Sequence, residues 1–393
     1  MEKIKLEYGL HSLEIEKPEN TIEILRANPV DGVKDIHEEF RRALKNPIGT
    51  QPLSEIVKGK RSIAIVVSDR TRIYPKKEML EALLEELKGI PDEHITIVIA
   101  NGNHPADERS LHHLGEEIRK RFRIVQHNSM DESNLIHIGK TSRGTEVWVN
   151  KEVASADVKI LIGQIKPHYF TGYSGGAKSL LPGVCGFYTI AHNHLMKPLP
   201  DARLGTVEGN PVRNDMEEAG RMAGIDFIFN VVMNDRKEVV RAVAGDLVKA
   251  HREGVVWARK VCEVKTKKLA KICIVSDGVP TSINLYQASK LVPPAGKTLS
   301  GESGVVIVCA ECDEGYGASL NVINEMIYRI GLIHYLPEKH WIFLVSSMQE
   351  KEVKETFCRY APSLEEALHQ ACEIVGKNAP VSIIPRGGLV LPI

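Results

Sequence analysis

Residues 158–183 read VKILIGQIKPHYFTGYSGGAKSLLPG and join an apolar run to a glycine-rich segment. The apolar run predicts a buried strand that leads directly into the segment 166–183, named here the glycine–lysine segment. Similar runs recur along the chain, and polar turns and helical stretches separate them. The predicted strands are 61–69, 95–100, 158–165, 227–233, 271–277, 304–310 and 341–346, and the predicted helices are 76–88 and 245–260. This alternation predicts an α/β protein with mainly parallel sheets flanked by helices.

The length of the chain, 393 residues, predicts two domains, because a single hydrophobic core rarely grows that large. The charged stretch 262–271 is the best candidate for a boundary, which predicts domains at 1–266 and 267–393. The sequence leaves open whether the last residues of the chain return to the first domain. Ligands of open α/β sheets bind beyond the carboxyl ends of the strands. Four polar clusters that follow predicted strands are therefore expected to face one cleft: SDRTRIYP (68–75), NGNHP (101–105), QIKPHYF (164–170) and SDGVP (276–280).

Composition excludes several classes of protein. Lys+Arg and Asp+Glu both number 51, and this balance argues against a nucleic-acid binder, which normally carries a basic excess. Residues 1–20 contain no apolar core typical of a signal peptide or anchor, and no apolar run approaches the roughly 20 residues of a spanning helix. Five of the seven cysteines lack a near partner, which favours a reducing compartment. We therefore expect a cytoplasmic protein without a membrane partner.

A lysine within a glycine-rich loop can contact phosphate, form a covalent attachment or carry a proton. Residues 172–179 miss the P-loop pattern by one position, because Ala177 stands where the second glycine is required. Pro182 also lies where a P-loop needs an uninterrupted helix after Lys178. A P-loop-like phosphate-binding protein or nucleotide hydrolase remains an alternative hypothesis, as does a non-enzymatic ligand sensor.

Histidines beside predicted turns are candidates for acid–base chemistry or metal binding. His104, His168 and His194 each lie in or near a turn rich in Gly, Pro or Asn. His192 and His194 would share one face in an extended segment but would diverge in a helix. One of the two arginines in residues 69–72 could clamp a carboxylate or phosphate.

These motifs, in this order, resemble the nickel-pincer lactate racemase family, whose members racemise or epimerise 2-hydroxy acids. The glycine–lysine segment is the most specific match. The other matching segments are SDRTRIYP, GNHP, NHLM, EGNPV, AGDL, NLYQASK and AECDEG. The resemblance implies two α/β domains with the active site in the cleft between them. It also implies a cofactor of the pyridinium-3,5-bisthiocarboxylic acid mononucleotide type, which holds nickel between two thio-carbonyl arms.

The resemblance further implies a role for each matching residue. Lys178 would hold the cofactor covalently, His194 would ligate nickel, and His104 and His168 would alternate as general base and general acid. The cofactor would also contact Asp69, Arg72, Tyr173, Gly175 and Gly176. The substrate would contact Arg72, Lys290, Gln287, Tyr286 and Phe170.

The expected reaction is racemisation or epimerisation of lactate or a related short 2-hydroxy acid by proton-coupled hydride transfer. The C–H bond beside a carboxylate is a very poor acid, and removal of hydride avoids the carbanion if a cofactor accepts it. Cofactor-maturation enzymes are the expected partners. Family members that act on lactate commonly have an arginine after the first catalytic histidine, whereas Pro105 follows His104. A sugar acid or a dicarboxylic 2-hydroxy acid therefore remains an alternative substrate.

Overall fold

The computed structural model describes residues 2–393, which form a mixed α/β protein. Mainly parallel sheets flanked by helices confirm the fold class that the alternating pattern predicted. Contacts group the described residues into two units. The larger unit comprises Pro29–Lys166 and Thr171–Lys260, and the smaller unit comprises the described residues up to Asn28, Pro167–Phe170 and Val261–Ile393.

The N-terminal residues belong to the smaller unit, whereas the sequence pattern placed residues 1–266 together. The strand Lys3–Gly9 pairs in parallel with Ile272–Gly278, and Thr21–Ile24 pairs in parallel with Val381–Ile384. These partners lie more than 250 residues apart along the chain. Pairing over that separation leaves no local pattern, so a boundary based on composition could not place the first strands.

The larger unit contains a six-stranded sheet. Its spatial order is Val239–Gly245, Phe227–Met233, Val158–Gln164, Ile63–Ser68, Ile95–Ala100 and Arg123–Gln126. Only the first pair is antiparallel. Most residues of the central strands are buried and apolar, as parallel strands covered on both faces require. The carboxyl ends of three neighbouring strands, at Gln164, Ser68 and Ala100, therefore lie along one edge of the sheet.

Helices cover both faces of this sheet. The helices of the larger unit are Ile36–Lys45, Leu53–Ile56, Lys76–Glu86, Arg109–His112, Glu116–Arg121, Lys151–Ala154, Phe187–His194, Pro211–Met222 and Lys249–Cys262, the last of which ends beyond Lys260. Short 3₁₀ turns occupy Asp92–His94, Glu132–Asn134 and Gly176–Ser179, and the strands Leu135–Lys140 and Glu146–Asn150 form an antiparallel hairpin. The predicted helix 245–260 begins later, at Lys249, because Gly245 ends an edge strand.

The smaller unit contains an eight-stranded sheet. One path through it runs Arg359–Tyr360, Lys339–Val345, Ser303–Cys309, Ile272–Gly278, Lys3–Gly9 and His11–Glu16. Val381–Ile384 also pairs with Ile272–Gly278 and carries Thr21–Ile24 on its other side. Glu263–Val264 and Leu391–Pro392 form a separate parallel pair. The chain also contains two two-residue strands, Pro167–His168 and Gly172–Tyr173.

The helices of the smaller unit are Leu285–Ala288, Val292–Gly296, Glu350–Val353 and Leu364–Val375, with a π-helix at Val322–Leu332 and 3₁₀ turns at Ser289–Leu291 and Ile333–Tyr335. Within residues 2–393, no helix combines the length and the apolar character that crossing a membrane requires. All seven cysteines are free thiols.

Asp246 caps the helix Lys249–Cys262. Its carboxylate accepts hydrogen bonds from the main-chain N–H groups of Val248 (3.0 Å) and Lys249 (2.9 Å), and Arg221 donates to both of its oxygens. Burial acts to raise the pKa of Asp246, but the hydrogen bonds from Arg221 and the main chain outweigh burial and lower this pKa to about 2. Because the pKa is lower in the folded state, the stabilisation is complete above the ordinary value of 3.8 and is lost as pH falls through about 2.

We therefore expect Asp246→Asn to lower the free energy of unfolding at neutral pH by about 2 kcal/mol, since one pKa unit corresponds to about 1.4 kcal/mol. Chemical denaturation of both proteins at pH 7 and at pH 3 measures this difference, which should shrink in acid. Asp31→Asn is the control, because the carboxylate of Asp31 is 96% exposed. An equal difference at both pH values would contradict this account.

Candidate functional site

The candidate site of the larger unit lies at the edge where three neighbouring strands end. Residues 69–72 follow Ile63–Ser68, residues 101–104 follow Ile95–Ala100, and the glycine–lysine segment follows Val158–Gln164. The Gly102 N–H donates to the Gly183 carbonyl oxygen (2.9 Å), so the second and third of these segments are in direct contact. The strand order thus explains why residues far apart in sequence gather at this edge.

Asp69 and His104 form a hydrogen-bonded pair at this edge. His104 Nδ1 lies 2.6 Å from Asp69 Oδ2, and Asp69 is buried. Burial would raise the pKa of the Asp69 carboxyl, but the hydrogen bond from His104 and the positive charge of Arg72 hold it well below its usual range. Asp69 is therefore ionised at neutral pH, so Nδ1 of His104 carries the proton. The remaining ring nitrogen, Nε2, then has the lone pair required of a general base.

The two arginines of the turn after Ile63–Ser68 have different partners. Arg70 forms an ion pair with Asp107, which gives it a structural role. Arg72 donates to Thr71 Oγ1 (2.6 Å), and Thr71 Oγ1 in turn donates to Asp69 (2.7 Å). The motif alone left the choice between the arginines open, and the family resemblance implied Arg72. The structure associates Arg72 with the Asp69–His104 pair.

Lys76 stabilises this turn through hydrogen bonds to its main chain. Its side chain is buried, and Nζ donates to the carbonyl oxygens of Asp69 (2.6 Å) and Arg72 (2.5 Å). Burial lowers the pKa of Lys76 to about 8. Sequence reasoning missed this residue, because a lysine at the start of an amphipathic helix resembles any solvated one.

The glycines of the glycine–lysine segment are required by close packing. Gly175 and Gly176 have φ angles of +76° and +58°, a region that side chains disfavour. A Cβ at Gly175 would lie 2.7 Å from Ile165 Cγ1, and a Cβ at Gly176 would lie 2.9 Å from His251 Cδ2. The backbone therefore turns sharply just before Lys178, and Tyr173 is buried beside it.

Lys178 lies in the 3₁₀ turn Gly176–Ser179 and is partly exposed. Burial of the amine lowers its pKa well below the ordinary value, and nearby positive charges add to this effect. Those charges belong to Arg72, Arg213 and Lys197. A lowered pKa favours the neutral form of the amine, which is the nucleophilic one.

The helix expected of a P-loop does not follow Lys178. The 3₁₀ turn ends at Ser179, and the next α-helix begins only at Phe187. A phosphate in a P-loop binds to the N-terminus of the helix that starts at the lysine. This segment therefore has the composition of a P-loop without its architecture.

His194 ends the helix Phe187–His194. Burial and the positive charges of Lys197 and Lys178 lower the pKa of His194 well below its ordinary value, so the imidazole is neutral at pH 7. Its Nδ1 lies 3.2 Å from Asn193 Oδ1. Because this segment is helical, His192 diverges from His194: it is exposed and its Nδ1 is hydrogen-bonded to Thr145 Oγ1 (2.9 Å).

Sequence reasoning also missed Lys197 and Arg213. Lys197 is buried, and burial lowers its pKa to about 8. Arg213 is fully buried beneath the glycine–lysine segment. His251, which the sequence assigned no chemistry, is buried as well and hydrogen-bonded through Nε2 to the Ser174 carbonyl oxygen (2.9 Å). An arginine directly after the EGNPV motif was the only available signal for Arg213.

The smaller unit carries the other predicted site residues. The His168 ring stacks on Tyr169 with centroids 5.2 Å apart and meets the edge of Phe170 at 4.7 Å. Lys290 Nζ donates to Gln287 Oε1 and lies 5.9 Å from the centre of the Tyr286 ring. The helix Leu285–Ala288 and the 3₁₀ turn after it therefore bring these three side chains together.

Residues 8–205 match the family described as the lactate racemase N-terminal domain. A lactate racemase from Thermoanaerobacterium thermosaccharolyticum is 32% identical to this chain, across 100% of this chain and 99% of that protein. A lactate racemase from Lactiplantibacillus plantarum is 31% identical, across 89% of each. The similarity therefore extends well beyond the glycine–lysine segment.

Solved structures show the same relationship. The lactate racemase apoprotein from Thermoanaerobacterium thermosaccharolyticum matches with a TM-score of 0.91 and 30% identity, across 100% of both chains. A protein from Thermotoga maritima matches with a TM-score of 0.68 and 16% identity, across 91% of this chain and 98% of that one, which supports the fold alone. The matched domain, the full-length relatives and the shared fold show that this chain belongs to the lactate racemase family and is an isomerase.

Proposed function

We propose that this chain racemises or epimerises lactate or a related short 2-hydroxy acid, using a nickel-pincer nucleotide attached covalently to Lys178. The observation that carries the proposal is the position of Lys178. It is a partly exposed lysine whose amine has a lowered pKa, on a glycine turn bonded to buried side chains, in the same unit as the neutral imidazole of His194 and the Asp69–His104 pair. Membership of the lactate racemase family supports the class of reaction.

The residues present fit such a cofactor. A neutral lysine amine can form the covalent bond, and a neutral imidazole is a suitable nickel donor. The missing Cβ atoms of Gly175 and Gly176 let the turn before Lys178 pack against Ile165 and His251, which places the lysine. Arg72 and Lys197 place positive charge around Lys178, which suits the phosphate of a mononucleotide. When bound, the cofactor would supply the hydride acceptor that amino-acid side chains lack.

We assign proton transfer at the substrate hydroxyl to His104. Asp69 accepts the proton on Nδ1 and keeps the ring in one tautomer, so Nε2 accepts the proton of the hydroxyl group. The ionised carboxylate then stabilises the imidazolium that forms. This division of roles is the one that Asp and His have in hydrolase triads.

We assign the corresponding role for the opposite enantiomer to His168. Contacts with the rings of Tyr169 and Phe170 restrict the orientation of its imidazole. Two histidines are needed because hydride returns to either face of the planar keto acid. Each orientation of the intermediate requires its own acid or base within about 3 Å of the oxygen.

The substrate carboxylate requires a cationic clamp, which we assign to Arg72 and Lys290. Gln287 holds the Lys290 amine through a direct hydrogen bond, and Tyr286 lies beside it. Gln287 is buried, so its amide is held in place. A fixed clamp keeps the keto acid bound while it changes orientation.

Intact-mass analysis, nickel determination and a panel of chiral 2-hydroxy acids test the proposal. The protein should be produced together with cofactor-maturation enzymes, its proposed partners. It should then carry one covalent adduct and one nickel ion, and should invert lactate or another acid of the panel. The panel includes dicarboxylic and sugar acids, because Pro105 follows His104. Nucleotide binding with magnesium and no adduct would support a hydrolase instead.

Seven free thiols favour a cytoplasmic location, which is part of the same proposal.

His194→Ala should release nickel without preventing attachment. Loss of a direct ligand should weaken nickel affinity by about 100-fold or more, since even changes behind a ligand cost about 10–100-fold. Metal analysis after dialysis measures the loss, and intact mass should still show the organic adduct. His192→Ala is the matched control, because His192 is exposed and bonded to Thr145 instead. Equal nickel retention by both variants would remove His194 from the metal site.

A further inference from the structure

A single buried guanidinium holds the turn that precedes Lys178. Arg213 Nε donates to the Thr171 carbonyl oxygen (3.3 Å), Nη1 donates to that of Gly175 (3.1 Å), and Nη2 donates to that of Tyr173. The side chain is fully buried. The carbonyls of three alternate residues therefore converge on one planar group, and only arginine has enough fixed donors to satisfy them.

Two further buried side chains form hydrogen bonds with other main-chain groups of the same turn. Asn230 Oδ1 accepts a hydrogen bond from the Gly176 N–H (2.8 Å), and His251 Nε2 donates to the Ser174 carbonyl oxygen (2.9 Å). Five main-chain groups of residues 171–176 are thus bonded to side chains of the sheet and of two helices. These bonds fix the path of the turn without a ligand.

Arg213 and Lys178 are linked through one shared hydrogen-bond acceptor. The Gly175 carbonyl oxygen that accepts from Arg213 Nη1 also accepts from the main-chain N–H of Lys178 (3.3 Å). The Arg213 charge lies close enough to contribute to the lowered pKa of the Lys178 amine. Arg213 therefore acts on both the position of this amine and its protonation.

We propose that Arg213 is a positioning residue for cofactor attachment, presenting the Lys178 amine through the carbonyls of Thr171, Tyr173 and Gly175. This inference rests on the proposed function. In the attachment step the Nζ lone pair forms a C–N bond to the carbonyl carbon of one thiocarboxylic acid arm. The sulfur of that arm would stay on the carbon and its oxygen would leave as water, with one proton from the amine and one from solvent, so no oxidant or reductant is needed. Correct placement of a nucleophile contributes strongly to the rate of such a step.

The test compares Arg213→Lys with the wild-type apoprotein during attachment. Apoprotein is mixed with increasing concentrations of the nickel-loaded pyridinium bisthiocarboxylic mononucleotide, and intact mass follows adduct formation at Lys178. Lysine keeps the positive charge but lacks the rigid planar fork of donors that bonds the three carbonyls. We expect the saturating rate to fall about 100-fold, the cost typical of a small misplacement, and the half-saturating concentration to change less than about twofold.

Arg42→Lys is the matched control. The Arg42 guanidinium also donates to a main-chain carbonyl, that of Ala242 (2.7 Å), but it does not bond residues 171–176. Arg42→Lys should attach the cofactor at the wild-type rate, even if it lowers the thermal stability as much as Arg213→Lys does. If Arg213→Lys attaches at the wild-type rate, or if both variants slow attachment equally, the inference is wrong. If the wild type gains no mass at Lys178, the proposed function itself fails.

Amide hydrogen exchange on the wild-type apoprotein keeps the inference testable should Arg213→Lys not fold. The Lys178 amide donates to the Gly175 carbonyl oxygen that Arg213 also bonds. It should exchange about 100-fold or more slowly than in an unstructured peptide, because exchange requires local opening of the turn. Exchange at the rate of the unstructured peptide would show that the turn is not preorganised and would overturn the inference.

Discussion

Lys178→Ala should abolish both the covalent adduct and the inversion of any 2-hydroxy acid. The physical reason is that the roles proposed for these side chains are those of a base, a clamp and a metal ligand, and none of them is a hydride acceptor. Without the amine the acceptor is not retained, so the proton transfer assigned to His104 has no partner reaction. Intact mass and a chiral assay on protein produced with the maturation enzymes measure the two losses together.

The structure offers a control for this substitution. Lys151→Ala removes an exposed lysine of the same unit and should leave one adduct per chain. Lys178→Ala should keep the thermal stability of the apoprotein within a few degrees, because the hydrogen bonds from Arg213 that hold the turn before Lys178 remain. Racemisation by Lys178→Ala without an adduct would eliminate the covalent tether from the mechanism.

The second large effect should follow from replacement of either proposed acid–base histidine. His104→Ala and His168→Ala should each slow racemisation by about 10²–10⁴-fold in both directions, the usual contribution of general acid–base catalysis. Both directions are affected because each enantiomer is substrate for one direction and product for the other. The cofactor adduct and nickel should remain, so mass and metal analysis separate lost chemistry from lost cofactor.

Isotope labelling distinguishes hydride transfer from proton abstraction. Lactate with deuterium at C2 should retain its deuterium after inversion in ordinary water, because a transferred hydride does not exchange with solvent. Exposed histidines provide controls in each unit: His112→Gln in the larger and His369→Gln in the smaller should racemise normally. Normal racemisation by both His104→Ala and His168→Ala would refute the two-base assignment, and loss of deuterium would refute hydride transfer.

The amino-acid sequence determined much of the fold because buried parallel strands are continuous apolar runs. Residues 95–100 and 227–233 were predicted as strands and have those bounds in the structure. Short strands with mixed burial, such as Lys3–Gly9 and His11–Glu16, had no such signal. Their assignment to the smaller unit depends on partners far along the chain, so local periodicity could not reveal it.

The sequence also indicated which segments to expect at the site, because motifs such as the glycine–lysine segment have specific residue types at specific spacing. The tertiary structure alone decided how those side chains are held. It bonds His104 to Asp69 and diverts Arg70 to an ion pair. It also places Arg213 under a turn some 40 residues away in sequence. The physical reason is that burial and hydrogen-bond geometry arise from contacts between distant parts of the chain, and these set both the pKa of a side chain and its position.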